Sequence, residues 1–80
     1  MSRFFFYNRT DTALAEDLEG TELPTLEAAR AEAIIDLRQF AAAALRHNRP
    51  VGNRHIDIYD AAGLLLATVS ARDAIQPLLP

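Results

Sequence analysis

Histidine is the side chain that ordinarily titrates near neutral pH, and this chain has two, His47 and His55. His55 lies two residues before Asp57, and Asp60 follows closely. Alternate residues of a strand share a face, so His55 and Asp57 could form an acid–base pair or part of a metal site. A metal site needs three or four converging ligands, however, and only one histidine is in place. A solvated strand face is the competing interpretation.

Basic residues are grouped around the segment that follows a long predicted helix. Arg46, Arg49, Arg54 and His55 are the predicted contacts to an anion or a phosphate, and His47 lies among them. Cations near a helix C-terminus also complement the helix dipole, and each stabilises the helix by about 0.3–1 kcal/mol. Both interpretations of the cluster stay open at this point.

Acidic residues are concentrated in the first half of the chain. Eight of the eleven acids lie in residues 11–36, where there is a single arginine. Glu16, Asp17, Glu19 and Glu22 could offer oxygen ligands to a hard cation, but their spacing does not match an EF-hand loop. The alternatives are a patch that recognises a basic partner and an ordinary solvated face.

Composition excludes several kinds of chemistry. The chain has 80 residues, a net charge of −3 and no cysteine, so disulfides, thiolate zinc sites and cysteine catalysis are excluded. Ser70 has no histidine at a recognisable motif spacing, and the three glycines are not clustered around a phosphate. The sequence therefore predicts no catalytic residue, no metal and no cofactor.

Charge and hydropathy also bear on partners and location. An acidic chain without a long basic run is not expected to bind nucleic acid by itself. No stretch resembles a signal peptide or approaches the ~20 apolar residues that cross a bilayer. A soluble cytoplasmic protein that does not bind membranes is the expectation.

The element that must position these residues is an amphipathic helix predicted over Leu26–Arg46. Thr25 suits the N-cap, and Pro24 blocks helix before it. Residues spaced at helical intervals form one broad apolar arc: Leu26, Ala29, Ala33, Leu37, Phe40, Ala41 and Ala44.

A second stripe of small residues lies beside this arc and contains Ala28, Ala31, Ile35 and Ala42. Alanine favours helix and one exposed isoleucine is ordinary, so the stripe could be plain helix propensity. It could also be a close helix–helix contact across a homodimer, with Ile35 as its anchor. An 80-residue core has a small stability margin, which favours assembly.

The remaining chain predicts strands. They are expected at about 3–9, weakly at 13–17, at 54–59 and at 64–69, with a short helical turn at 71–76. In the first strand Phe4 and Phe6 point to one side of the sheet and Phe5 and Tyr7 to the other. One pair should face the helix, and the other needs cover from a loop, the C-terminal tail or another subunit. The predicted fold is α+β: one domain over residues 1–80, in which an antiparallel β-β-α-β-β sheet carries the long helix on one face.

Four segments carry a resemblance to known families: Arg3–Phe6, Glu19–Pro24, Leu26–Ala33 and Asp60–Gly63. With them the chain resembles a small bacterial family known only as a domain of unknown function. The resemblance implies a fold and supplies no activity. A more distant similarity is to HicB-like antitoxin domains. Those also place an aromatic first strand and further strands before a helix that begins with a Thr-Leu-Glu-Ala run, here Thr25–Ala28. This similarity is one of shape alone.

The sequence thus predicts a small non-enzymatic interaction module that forms a homodimer or binds another protein. One alternative is an antitoxin-like or regulatory domain that binds a partner through its acidic segment. A second alternative is binding of a small ligand or anion near the arginine and histidine cluster.

Overall fold

The computed structural model describes residues 1–79, so the predicted domain extends one residue beyond the described part. Its class is α+β, with five antiparallel strands in one open sheet, one long helix and a short second helix, and the predicted fold class is confirmed. The strands are β1 Ser2–Arg9, β2 Leu14–Ala15, β3 Thr21–Leu23, β4 His55–Tyr59 and β5 Leu65–Ser70. The helices are α1 Leu26–Arg46 and α2 Ala71–Ile75, and a 3₁₀ turn covers Gln76–Leu78.

Strand β1 is central, since it pairs with β4 on one side and with both β2 and β3 on the other. Asn8 pairs with Ala15 and Phe4 pairs with Thr21, so three residues of β1 face the five residues 16–20. Strands β2 and β3 are therefore one edge strand interrupted by a bulge. The sequence predicted no strand where β3 lies, between the weak strand at 13–17 and the helix. It missed the strand because the acidic, glycine-containing segment before it has the composition of a loop.

Strands β4 and β5 form the second half of the sheet. Ile56 pairs with Val69 and Ile58 with Ala67, and the register then shifts so that Tyr59 pairs with Leu65. Helix α2 follows β5 directly because the Ser70 hydroxyl accepts a hydrogen bond from the Asp73 N–H at 3.0 Å, which caps its first turn. Arg38 of α1 donates to the Ala74 carbonyl at 2.8 Å and ties the two helices together.

Helix α1 begins after Thr25, whose hydroxyl accepts from the Ala28 N–H at 3.1 Å. It ends at Arg46, and Asn48 takes a positive φ of 55° that turns the chain away from the helix. Asparagine tolerates this conformation better than most residues. The helix packs across the sheet and against α2.

One hydrophobic core lies between the helices and the sheet. Its buried members come from β1, α1, β4, β5 and α2: Phe4, Ala29, Ala33, Leu37, Ile56, Ile58, Val69, Ala71 and Ala74. The two fully buried alanines of α1 let the helix axis approach the sheet closely. All of this core is on one side of the sheet, so the side chains that alternate with it point to the opposite side.

Candidate functional site

The side of the sheet opposite both helices is called the open face. Its residues alternate with the core residues along β1, β4 and β5: Phe5, Tyr7, Arg9, His55, Asp57, Tyr59, Leu65, Thr68 and Ser70. No helix among residues 1–79 packs on this face, because the core that α1 and α2 share lies on the other. A polar and aromatic surface is therefore presented outward.

Asp57 occupies the centre of the open face and is only 6% exposed. Arg9 donates to both of its carboxylate oxygens, from Nε to Oδ2 at 2.8 Å and from Nη2 to Oδ1 at 3.2 Å. Thr68 Oγ1 also donates to Oδ1, at 2.9 Å. These hydrogen bonds, led by the one from Arg9, outweigh burial and lower the pKa of Asp57 below its ordinary value. Asp57 is thus an ionised acceptor that joins three strands.

The possible acid–base or metal pair of His55 and Asp57 gains no third member from the structure. Both carboxylate oxygens of Asp57 are bonded to Arg9, and Asp60 bonds to its own turn. Within residues 1–79 no group of three or more His, Asp or Glu side chains could hold a metal ion. The pair is best described as part of a structural network.

A cleft of about 370 Å³ lies at the end of the open face away from His55. We call it the aromatic cleft. Phe5, Tyr7 and Tyr59 form its floor, and the rings of Tyr7 and Tyr59 are 4.9 Å apart and tilted by 54°. Its remaining lining comes from the edge-strand bulge and the β4–β5 turn: Asp17, Leu18, Asp60, Ala61 and Gly63. The cleft therefore combines aromatic rings with a carboxylate on either side.

The bulge wall of the cleft is held by Asp17. Its Oδ2 accepts from the Phe6 N–H at 3.1 Å, and its Oδ1 accepts from Glu19 and Gly20 N–H at 3.3 and 3.0 Å. Burial disfavours ionisation, but these three backbone donors and the nearby charge of Arg3 outweigh it and lower the pKa of Asp17. The carboxylate thus replaces the strand partner that Phe6 lacks at the bulge.

The opposite wall is the turn between β4 and β5. Asp60 Oδ1 accepts from the N–H groups of Ala62 and Leu64, each at 2.9 Å, and the Asp60 N–H donates to the Leu64 carbonyl at 3.0 Å. No described residue donates a hydrogen bond to Asp60 Oδ2. This oxygen is therefore an unused acceptor on a residue that lines the cleft.

Gly20 fixes the bulge against the cleft floor, and its substitution is a sharp test of this wall. Its φ is +73°, and an added Cβ would lie 2.9 Å from Phe5 Cε2 and 3.0 Å from the Phe4 carbonyl oxygen. Gly20→Ala should lower the free energy of unfolding by about 2–4 kcal/mol, since it adds a clash to the strain of a left-handed residue.

Urea titration measures this loss, and Gly63→Ala is the matched control in the same experiment. Its φ is +84°, but a Cβ there meets nothing within 4 Å. It should cost only the conformational strain of about 1–2 kcal/mol. Equal losses for the two variants would show that the bulge does not rest on Phe5.

The predicted anion contacts are divided between two clefts. Arg49 and Arg54 line one of about 280 Å³ together with His47 and Phe40, and the Arg54 guanidinium lies 3.9 Å from the centre of the Phe40 ring. Arg54 and His55 line another of about 250 Å³ with Ser70 and Arg72. Arg46 is exposed in the last turn of α1 and lines neither cleft.

Two atoms of this region are buried without a hydrogen-bond partner among the described residues, Arg54 Nε and His55 Nδ1. Because both atoms are inaccessible, neither can reach a ligand from solvent. Arg54 is instead held by stacking on Phe40, with its Nη1 3.5 Å from Asn8 Oδ1.

The small-residue stripe of α1 lies mostly at the surface. Ile35 is 51% exposed, Ala31 and Ala42 are exposed, and Ala28 is half-buried. Another exposed region is a cleft of about 520 Å³, which lies between Val51 and α2 and has Arg72 as its one ionisable lining residue. Neither region gathers groups that could do chemistry.

Sequence patterns contained part of the signal for the aromatic cleft. Alternation along β1 separates Phe5 and Tyr7 from the neighbouring pair, and alternation along β4 puts Tyr59 on the face away from the core. The register of the two strands is what brings these three rings to one face. What the sequence did not indicate is that Asp17 and Asp60, 43 positions apart, flank these rings. The pairing of Arg9 with Asp57 was also missed, since it depends on the register of β1 against β4.

No helix within residues 1–79 is long and apolar enough to cross a bilayer. Searches of curated proteins and of solved structures find no match to the chain, and they give no support to the similarity in shape to HicB-like antitoxin domains. A family profile, in contrast, matches residues 3–72, nearly the whole chain. The chain therefore belongs to the family described as "Domain of unknown function (DUF6894)", which confirms the resemblance to a family of that kind.

Proposed function

We propose that this chain is a non-catalytic interaction module that binds another protein through the open face of its sheet. The observation that carries the proposal is the aromatic surface of Phe5, Tyr7 and Tyr59 on a face that no described helix covers. Tyrosine and phenylalanine are enriched at protein interfaces because each provides a large rigid contact area.

The rim of the open face supports the same proposal. Leu18 in the bulge is 81% exposed, and Leu64 and Leu65 on the other side are also exposed. Large apolar side chains gathered around one surface are a mark of an interaction site. The non-catalytic part of the proposal is supported by Asp57, whose carboxylate is already bonded to Arg9 and Thr68.

A photo-crosslinking residue at Leu65, introduced in cells that naturally contain the protein, tests the proposal. The expected result is an adduct of defined mass in which the second component is another protein. The control is the same crosslinking residue at Gln39, which is exposed on α1, on the opposite side of the sheet from the open face. The proposal is contradicted by adducts that form equally from both positions or only from Gln39.

A homodimer through the helix stripe is the second proposal, favoured by the half-exposed side chain of Ile35. Light scattering on the unmodified chain should then give twice the monomer mass, and Ile35→Glu should give a folded monomer. A monomeric unmodified chain would remove the homodimer. Anion binding by Arg46, Arg49, Arg54 and His55 stays a prediction.

A further inference from the structure

The aromatic cleft contains the elements of a site for a planar cation. Its floor is made of aromatic rings, whose faces carry negative potential and attract cations. The molecule already uses this interaction once, because the Arg54 guanidinium lies 3.9 Å from the centre of the Phe40 ring. The rings of Phe5, Tyr7 and Tyr59 have no such partner among the lining residues of the cleft.

Both walls add negative charge. Asp17 and Asp60 line the cleft from opposite elements, and each is oriented by backbone N–H donors. A carboxylate fixed in this way needs no reorganisation when a cation arrives, so more of the interaction energy appears as affinity. Asp60 Oδ2 is the oxygen best placed to accept a hydrogen bond, since no described residue donates to it.

The nearest arginines of the chain are held elsewhere. Arg3 donates to the Glu19 carbonyl at 2.8 Å and to Glu22 at 3.1 Å, outside the cleft. Arg9 is bound to Asp57. The lining of the cleft contains no arginine, lysine or histidine. Arg3 is close enough to act on the charge of Asp17 but does not line the cleft, and no lining cation faces Asp60.

We propose that the aromatic cleft binds the guanidinium group of an arginine side chain presented by a protein partner. This inference rests on the proposed function and names the chemistry of the partner. Arginine fits better than lysine because its flat guanidinium can stack on a tyrosine ring while its N–H groups bond to a carboxylate.

Charge complementarity points to a basic partner. Residues 11–36 hold eight acids and one arginine, and Glu16, Asp17 and Glu19 of this segment belong to the bulge beside the cleft. Such a concentration of one sign attracts a basic segment and speeds its association at low salt. The acids of the bulge and the aromatic cleft then form one recognition surface, whereas the acids of α1 lie on the other layer of the molecule.

The test uses the full chain and two short peptides that differ in one group. The first is acetyl-Gly-Ser-Arg-Ser-Gly-amide, and the second carries citrulline, the neutral isostere of arginine, in the same place. Binding is followed by amide chemical shifts in two-dimensional NMR. The arginine peptide should shift the amides of Leu18, Gly63 and Leu64 in a saturable way, and the citrulline peptide should bind at least about ten-fold more weakly.

Asp60→Asn provides the variant arm, because its retained Oδ1 can still cap the turn while the charge is lost. Affinity for the arginine peptide should fall by about three- to ten-fold. Glu32→Gln removes one charge from the exposed surface of α1 and should change affinity less than about two-fold. Unchanged amide dispersion in both variants shows that they are folded.

Three results would overturn the inference: equal binding of the two peptides, shifts confined to residues outside the cleft, or equal losses for Asp60→Asn and Glu32→Gln. Crosslinking at Leu65 without arginine binding would overturn this inference and leave the interaction module standing. Failure of crosslinking at Leu65 would count against the module itself. A solution mass that rises with protein concentration in the unmodified chain but not in Asp60→Asn would identify a second copy of the chain as the occupant of the cleft. That result would overturn binding of a different protein.

Discussion

Leu37→Ala is expected to lower the free energy of unfolding by about 2–5 kcal/mol. Leu37 is fully buried at the centre of α1 and belongs to the core that joins the helix to β4 and β5. Truncation removes apolar contacts and leaves a cavity that the neighbouring backbone of a helix and a sheet can fill only in part. The loss is a large share of the ~5–15 kcal/mol that stabilises a typical domain.

Thermal and urea unfolding measure this effect, and the midpoint temperature should fall by about 4–8 °C for each kcal/mol lost. Ile35→Ala is the matched control, since Ile35 lies on the same helix and is 51% exposed. It should change stability by less than about 0.5 kcal/mol. Similar losses for the two variants would mean that α1 faces the sheet with a different side from the one described.

Asp57→Asn is expected to lower the free energy of unfolding at pH 7 by about 1–3 kcal/mol. Asp57 is buried, accepts from Arg9 and Thr68, and connects β1, β4 and β5 through these contacts. Asparagine has nearly the same shape, but it carries no charge and has one acceptor oxygen, so it cannot accept from both N–H groups of the Arg9 fork as the carboxylate does. The ion pair is thereby reduced to a weaker hydrogen bond from the guanidinium to a neutral amide oxygen.

The pH dependence of this effect follows from the lowered pKa of Asp57, to which the hydrogen bond from Arg9 contributes most. A carboxyl group whose pKa is lower in the folded chain than the ordinary 3.8 stabilises the fold above that value. This contribution is lost as pH falls from about 5 through the folded pKa. The difference between the unmodified chain and Asp57→Asn should therefore shrink on acidification.

Urea titrations between neutral and acidic pH check this expectation. Asp17 also has a lowered pKa, so the unmodified chain loses stability from both carboxylates, and only the difference between the two proteins isolates Asp57. Glu32→Gln serves as the control for removal of an exposed acid. A gap between the unmodified chain and Asp57→Asn that stays constant down to low pH would contradict the role given to the Arg9 hydrogen bonds.

Local sequence predicted the elements whose signals are local. The helical spacing of Leu26, Ala29, Ala33 and Leu37 reflects a face that must be buried, and the Thr25 hydroxyl can cap a helix wherever the helix lies. The alternation around Ile56 and Ile58 separates a core face from an open face in the same way. Such patterns depend on residues a few positions apart and need no knowledge of the fold.

Strand β3 shows where local signals fail. Thr21–Leu23 is short and follows an acidic turn, and it becomes a strand because it meets Ser2, Arg3 and Phe4 of β1. Its extended conformation is stabilised by partners 17 or more positions away along the sequence, so no propensity within the segment could indicate it.

The sequence by itself determined the α+β class, the buried face of α1 and the division of the first strand into two pairs, Phe4 with Phe6 and Phe5 with Tyr7. The tertiary structure placed Phe4 and Phe6 against the core. Only the tertiary structure decided that Arg9 binds Asp57 and that Asp17 and Asp60 flank the same aromatic rings. The physical reason is that these contacts are set by strand register and by the bulge at residues 16–20, and a shift of one residue would turn each side chain to the other face. Register is fixed by the packing of the whole sheet on its helix.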